Sequence, residues 1–201
     1  MNIAVFCSGK GTNLQAIIDA VKRGKIKANL ALVISDQKDA YALARAKNSG
    51  VEAVFIDPRN FPLRENFDKE IIKHLERKRI DLICLAGFMR MISNYLVQKY
   101  KNCILNIHPA LLPSFKGTQG VKDALEYGVK ITGPTVHFVD EKMDHGPIIL
   151  QAAVEVRDTD TEETLAQRIH EQEHKIYPQA IKLFVEGKLE IEGRRIRIKQ
   201  E

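Results

Sequence analysis

The chain predicts an α/β fold: a Rossmann-like, mostly parallel twisted sheet with helices on both faces and a short C-terminal hairpin. Three observations carry that prediction. Short apolar runs alternate with segments of helical period through most of the sequence. The runs are continuous rather than alternating, as in strands buried on both faces. Polar turns rich in glycine or proline follow several of them, where an open parallel sheet gathers its functional loops.

Residues 2–7, Asn-Ile-Ala-Val-Phe-Cys, read as the first buried strand, interrupted by Ser8-Gly9-Lys10-Gly11-Thr12-Asn13. Leu14, Ile17, Ile18 and Val21 then repeat at helical spacing. A strand, a glycine turn and a helix N-terminus together make an anion site, because free N–H groups and the helix dipole favour a phosphate. Gly9 and Gly11 allow close backbone approach. The glycine–lysine order is not that of a Walker loop, and the full dinucleotide fingerprint is missing. Residues 30–35 read as the second strand, 40–48 as a helix stopped by Gly50, and 51–56 as the third strand. After the turn-rich 57–62 loop, Phe67, Ile71, Ile72 and Leu75 mark a helix face, with Arg64 at its start. Residues 82–86 form another buried strand, which Gly87 breaks ahead of Phe88-Met89-Arg90-Met91-Ile92.

The central stretch follows. Residues 103–107 read as a strand that delivers Asn106-Ile107-His108, and Pro109-Ala110-Leu111-Leu112-Pro113-Ser114 comes after it. On an extended chain Asn106 and His108 point to the same side. An amide donor beside a proton carrier suits a reaction that builds negative charge on oxygen and moves a proton. The two prolines hold the backbone. Val121 and Leu125 predict a short helix ending near Gly128. Residues 131–139 read as one strand and 147–154 as the next, with Asp140 to Gly146 between them. Residues 158–163 open a helix with cap residues ahead of acids. Leu165, Ile169, Glu173 and Ile176 share a face there, so Glu173 falls on the apolar side and needs a partner. Pro178 predicts a kink or a split. The stretches 188–191 and 195–198 around Glu192-Gly193 read as a terminal hairpin.

Composition narrows the function classes. The chain has 201 residues, 44% of them hydrophobic, which fits one domain with a substantial core. No signal-like segment is present, and no apolar run approaches the ~20 residues of a membrane span, so a cytoplasmic protein without a membrane partner is expected. Cys7, Cys84 and Cys103 lie in apolar runs at spacings unlike a metal site, and read as buried thiols. The net charge is +5, with basic clusters at 22–25 and 194–197 that read as solvated surface. Without Trp or an RNA-binding aromatic signature, no nucleic-acid partner is expected.

Three pieces in order resemble a known family. Asn106-x-His108, the Leu-Leu-Pro-Ser that follows, and Asp144 in Asp-x-Gly-Pro look like the formyltransferases that use 10-formyltetrahydrofolate. Gly11-Thr12-Asn13-Leu14-Gln15-Ala16-Ile17 resembles the substrate-phosphate loop of the folate-dependent glycinamide ribonucleotide transformylase family. The resemblance runs over essentially the whole chain and implies a single formyltransferase domain, 1–201. Its N-terminal part would bind the ribotide phosphate, and its C-terminal part would serve folate binding and catalysis. By the same resemblance Asn106, His108 and Asp144 are catalytic. Gly11, Thr12, Asn13 and Glu173 hold glycinamide ribonucleotide, the last through its place in Gln-Glu-His-x-x-Tyr-Pro. Arg64, Met89, Arg90, Met91, Ile92, Asn106, Val139 and Asp140 line the folate site. The family usually has Gly-x-His where this chain has Gly117-Thr118-Gln119, so a contact made by that His is missing. Lys10 replaces a residue that is commonly Asn or small.

The implied reaction moves the formyl group from 10-formyltetrahydrofolate, a cosubstrate, to the primary amine of glycinamide ribonucleotide in purine synthesis. No metal and no covalent enzyme intermediate are needed, because the amine is the nucleophile. Asn106 and His108 would donate to the oxyanion, and Asp144 would favour the charged form of His108. Protons would reach the leaving folate nitrogen through His108 or an ordered water. The expected partners are these two small molecules, and a homodimer is compatible with the reading. Another formyl-folate transferase or a formyl-folate hydrolase is the alternative. Relatives of those kinds normally carry a further C-terminal nucleic-acid-binding or N-terminal regulatory domain, for which this chain has no room. A non-catalytic phosphate-binding module has no use for a proton carrier at 108.

Overall fold

In the computed structural model, which describes residues 1–199, the apolar runs become strands. β1 (Asn2–Phe6) leads through a glycine loop into α1 (Thr12–Lys22). β2 (Asn29–Ser35), α2 (Tyr41–Asn48) and β3 (Glu52–Phe55) follow, then α3 (Arg64–Arg77) and β4 (Leu82–Leu85). Next come α4 (Asn94–Lys99) and β5 (Ile104–His108). The second half contains α5 (Gly120–Tyr127), β6 (Ile131–Thr132), β7 (Thr135–Phe138), β8 (Ile148–Gln151) and β9 (Val154–Glu155). It ends with α6 (Glu162–Val185) and the hairpin of β10 (Leu189–Glu192) and β11 (Arg195–Ile198). Seven strands form one sheet in the order β3-β2-β1-β4-β5-β7-β8. β1 pairs parallel with β2 and β4, β2 parallel with β3, and β7 antiparallel with β8. This is the expected class: a mostly parallel α/β sheet with helices and a C-terminal antiparallel hairpin. The chain divides into two compact units, Met1–Leu105 and the part from Asn106 onward.

In the first unit, Ile3 to Cys7 are fully buried, which explains the unbroken apolar run of β1. α1 has no side-chain cap, yet it buries Leu14, Ile17 and Ile18. Each such side chain contributes about 1.5–3 kcal/mol, more than a missing cap costs. α4, only six residues long and capped by Ser93, was not apparent from the sequence.

The second unit corrects three expectations. The predicted strand 131–139 is two strands, because Gly133 adopts φ +142° and the following proline cannot donate to a ladder. A Cβ on Gly133 would lie 1.9 Å from Ala152 O, so the chain turns there against 152. β6 accordingly leaves the main sheet and pairs antiparallel with β9, which divides the predicted 147–154 strand as well. Pro178 does not split α6, which runs 24 residues through it. A proline inside a helix costs roughly 3 kcal/mol. Burial of Ile176, Tyr177, Ala180 and Ile181 around it offsets that cost. The N-terminus of α6 is fixed by a reciprocal cap between Thr161 and Thr164, and Leu165 and Ile169 pack with Val154. No helix among the described residues is long and apolar enough to cross a membrane.

Candidate active site

The second unit gathers Asn106, His108 and Asp144, the three residues singled out for chemistry. β5 ends at His108 and holds both Asn106 and His108 on one side, with Ile107 turned away between them. The chain beyond is pinned by Thr135, a buried hydroxyl on β7. Thr135 Oγ donates to Ala110 O at 2.7 Å and accepts Leu112 N–H at 3.0 Å and Gln151 Nε2 at 2.9 Å. The Leu112–Pro113 peptide is cis.

His108 is 3% exposed. Its Nε2 lies 2.8 Å from Phe115 O, and its Nδ1 lies 3.5 Å from Asp144 Oδ2. Both ring nitrogens face acceptors, so an imidazolium at this position would have a partner for each N–H. Asp144 Oδ2 also accepts Gly117 N–H at 2.8 Å. The loop returns this closely onto the imidazole because residue 120 is glycine: a Cβ there would sit 3.3 Å from His108 Nε2 and 3.1 Å from Phe115 O. Asp144 itself has φ +46°, a left-handed backbone uncommon outside glycine.

His137 completes the cluster and was missed by sequence reasoning, which read it only as part of the strand 131–139. It is 2% exposed, and its Nδ1 lies 2.7 Å from Phe138 O, so Nδ1–H donates there. Nε2 is then the bare nitrogen and accepts from Asn106 Nδ2 at 3.1 Å. That contact fixes the amide orientation of Asn106 and uses one of its two N–H groups. Burial lowers the His137 pKa, outweighing the Phe138 carbonyl and the Asp144 charge. The 3.7 Å approach of His137 Nε2 to Asp144 Oδ1 is therefore not an ion pair: His137 is the neutral acceptor of the cluster.

The predicted folate residues of this unit, Val139 and Asp140, head the loop that carries Asp144. The Asp140 carboxylate is committed to that loop: Oδ1 accepts Lys142 N–H at 2.9 Å, and Oδ2 pairs with His145 Nδ1 at 2.7 Å. Burial pushes its pKa up, but His145, the Lys142 N–H and Arg194 outweigh burial and hold it below the usual carboxylate range. Arg194, read from sequence as part of a solvated cluster, is engaged here and donates to His145 O. Glu173 lies 4% exposed on the inward face of α6, as its spacing predicted.

The first unit carries the predicted phosphate loop. Gly11 caps α1 with φ +69°, and Thr12 and Asn13 open the helix. The need for glycine at 11 is internal, since a Cβ would lie 2.8 Å from Ala42 Cβ and 2.9 Å from Ala42 Cα. Gly9 is the open position, with nothing within 4 Å of its Cβ site. Lys10 is exposed, and its carbonyl accepts Arg45 Nε at 2.9 Å. The loop is tied to the 87–92 stretch through Ser8, also missed from sequence. Ser8 N–H donates to Gly87 O at 2.9 Å, while Ser8 Oγ accepts Met89 N–H at 2.8 Å and donates to Asp36 at 2.6 Å. Met89 and Met91 are 64% and 50% exposed, an uncommon display of apolar side chains around Arg90 and Ile92. The Arg90 guanidinium stacks 5.0 Å over the Phe67 ring. Arg64 and Arg90 both act on the buried Asp68, whose pKa burial nevertheless raises. No group of three or more His, Cys, Asp or Glu among the described residues is placed to hold a metal ion.

Comparison with known proteins identifies the family. The formyl transferase profile matches residues 1–181. The chain is 44% identical over 191 residues to phosphoribosylglycinamide formyltransferase of Escherichia coli strain K12, covering 95% of this chain and 90% of that one. It is 46% identical over 189 residues to the trifunctional purine biosynthetic protein adenosine-3 of Drosophila pseudoobscura pseudoobscura, covering 93% of this chain. This chain spans only 14% to 19% of the length of the trifunctional relatives from two Drosophila species and Gallus gallus. The crystal structure of glycinamide ribonucleotide transformylase 1 from Symbiobacterium toebii superposes with a TM-score of 0.98 at 52% identity, covering 100% of this chain and 94% of that one.

Proposed function

This chain belongs to the formyl transferase family, and from that premise we infer that it moves a formyl group from 10-formyltetrahydrofolate to the amine of glycinamide ribonucleotide. The products are formylglycinamide ribonucleotide and tetrahydrofolate, and the setting is purine synthesis in the cytoplasm. One observation carries the mechanism: Asn106 and His108 each meet a fixed partner, the buried His137 at 3.1 Å and Asp144 at 3.5 Å.

The amine attacks the formyl carbon, and charge collects on the formyl oxygen. The second N–H of Asn106 donates to that oxygen, aimed by the grip of His137 on the first. His108, with Nδ1 held toward Asp144, donates its Nε2–H once the oxygen exchanges for the Phe115 carbonyl. A donor held in place before the reaction costs no reorganisation during it. As the adduct collapses, His108 Nε2 gives its proton to the departing folate nitrogen and then takes one from the amine, directly or through a water it orients, so the ring ends as it began. Both substrates are small molecules.

For the ribotide, the family likeness assigns the phosphate to the N–H groups of the 8–13 loop and gives Glu173 a separate contact with the same substrate. For the folate, the family likeness assigns Arg64, Met89, Arg90, Met91 and Ile92 in the first unit and Val139 and Asp140 in the second. Exposed methionines suit the flat pterin, because their flexible thioethers adapt to its faces. The deciding experiment mixes the protein with 10-formyltetrahydrofolate, with and without glycinamide ribonucleotide, and follows tetrahydrofolate release. Release that depends on the ribotide is expected. Release without it would mean a hydrolase, and none at all would mean a binding module.

A further inference from the structure

Arg194 lies in the turn between β10 and β11, beyond residue 181 where the family match ends. Its Nη2 donates to His145 O at 2.7 Å, and its Nη1 stands 3.2 Å from His145 Nε2. His145 Nδ1 lies 2.7 Å from Asp140 Oδ2, so Nδ1–H donates to the carboxylate, and Arg194 Nη1, which is also 3.4 Å from Nδ1, lies against the ring rather than along the Nε2 lone pair. One guanidinium thus donates to the backbone carbonyl of the residue after Asp144 and packs its flat face against that residue's ring.

That residue needs a grip. Asp144 holds φ +46°, a left-handed turn that aspartate tolerates but that leaves the direction of its carboxylate dependent on how the neighbouring residues are held. The base of the loop is already closed: Phe138 N–H donates to Pro147 O at 2.9 Å, and a Cβ on Gly146 would lie 1.9 Å from Phe138 O. On the outer side the contact comes from Arg194. We propose that Arg194 is a positioning residue: the terminal hairpin clasps the 139–147 loop through His145 and so sets where the Asp144 carboxylate meets His108. Lysine could reach the carbonyl but could not also hold the ring.

The kinetic consequence rests on the formyl-transfer reading, whereas the placement of Asp144 does not. Amide hydrogen exchange in the intact protein separates them. Gly117 N–H donates to Asp144 Oδ2, so its exchange reports the carboxylate's position, and Leu112 N–H, bonded to Thr135 Oγ, is the internal control. In Arg194→Ala, Gly117 exchange should rise about tenfold while Leu112 stays unchanged, as for loss of one partly solvated charged hydrogen bond. Arg194→Lys should fall between, and Arg195→Ala, which removes the neighbouring charge, should match wild type. In turnover, Arg194→Ala should lower kcat more than it raises KM for the ribotide, and should add little in an Asp144→Asn background. An unchanged Gly117 rate in Arg194→Ala, an equal rise in Arg195→Ala, or losses that add fully to Asp144→Asn would overturn the clasp. If the wild type lacks transferase activity while Gly117 still responds to Arg194, the function reading fails and the clasp stands.

Discussion

The two units handle polar groups in opposite ways. In the second, Asn106, His108, His137 and Asp144 are each tied to another group of the protein. In the first, the 8–13 and 87–92 loops share one hub at Ser8, and around it Gly9 is open and Met89 and Met91 are exposed. The contrast separates two tasks. Groups that meet developing charge gain from being fixed before any ligand arrives. Groups that receive the outer parts of a ligand must leave room for it.

The sharpest way to break this contrast is to remove a fixed group. His108→Ala or Asn106→Ala should lower kcat by about 10²–10³-fold, the range for a lost oxyanion donor or general acid, with the circular dichroism spectrum unchanged. A rate near wild type for His108→Ala would remove that residue from the mechanism.

The next test compares two glycines of one loop. Gly11→Val meets Ala42 and a left-handed backbone, so it should destabilise the protein by about 3 kcal/mol in chemical denaturation. Gly9→Val meets nothing and should leave stability unchanged while raising KM for the ribotide. Equal stability losses in the two variants would mean that the open side of the loop is not open.

A smaller effect concerns His137. Its folded pKa is lowered, so below about 6.5 the unfolded chain takes up a proton that the folded protein resists. This contribution to stability is fully present above that pH and is lost as pH falls through the lower folded value. Denaturation midpoints from pH 7.5 down to 5 should therefore fall more steeply in wild type than in His137→Gln. Parallel slopes would show that the histidine is not the neutral acceptor. Smallest is Ser8→Ala, which removes one hydrogen bond from each loop. It should raise both KM values by about fivefold with little change in kcat, while a rise in only one KM would show that Ser8 serves a single loop.

What the sequence revealed depended on how local its cause was. Continuous apolar runs disclosed β1, β2 and β4, and Glu192-Gly193 disclosed the hairpin, because burial on both faces and turn chemistry act within a few residues. Asn106 and His108 were legible through strand alternation. The partner of Asn106 lies 31 residues away and that of Ser8 81 residues away, and such contacts leave no period in the chain. The break at Gly133 needed knowledge of Ala152, and the unbroken α6 needed knowledge of what packs around Pro178. The Arg194 cluster looked like solvated charge because its acceptor is a backbone carbonyl, which no sequence pattern marks.

The φ of +46° at Asp144 restricts which amino acids the position can accept. Its backbone readily admits glycine, asparagine or aspartate and resists longer or branched side chains. Its chemistry asks for a carboxylate beside His108, which admits aspartate or glutamate. The two alphabets share a single letter. Glutamate keeps the charge but not the conformation, and asparagine keeps the conformation but not the charge. No single substitution at 144 preserves both, so a line of descent that lost this aspartate could regain the function only by regaining the same residue or by rebuilding the turn that carries it.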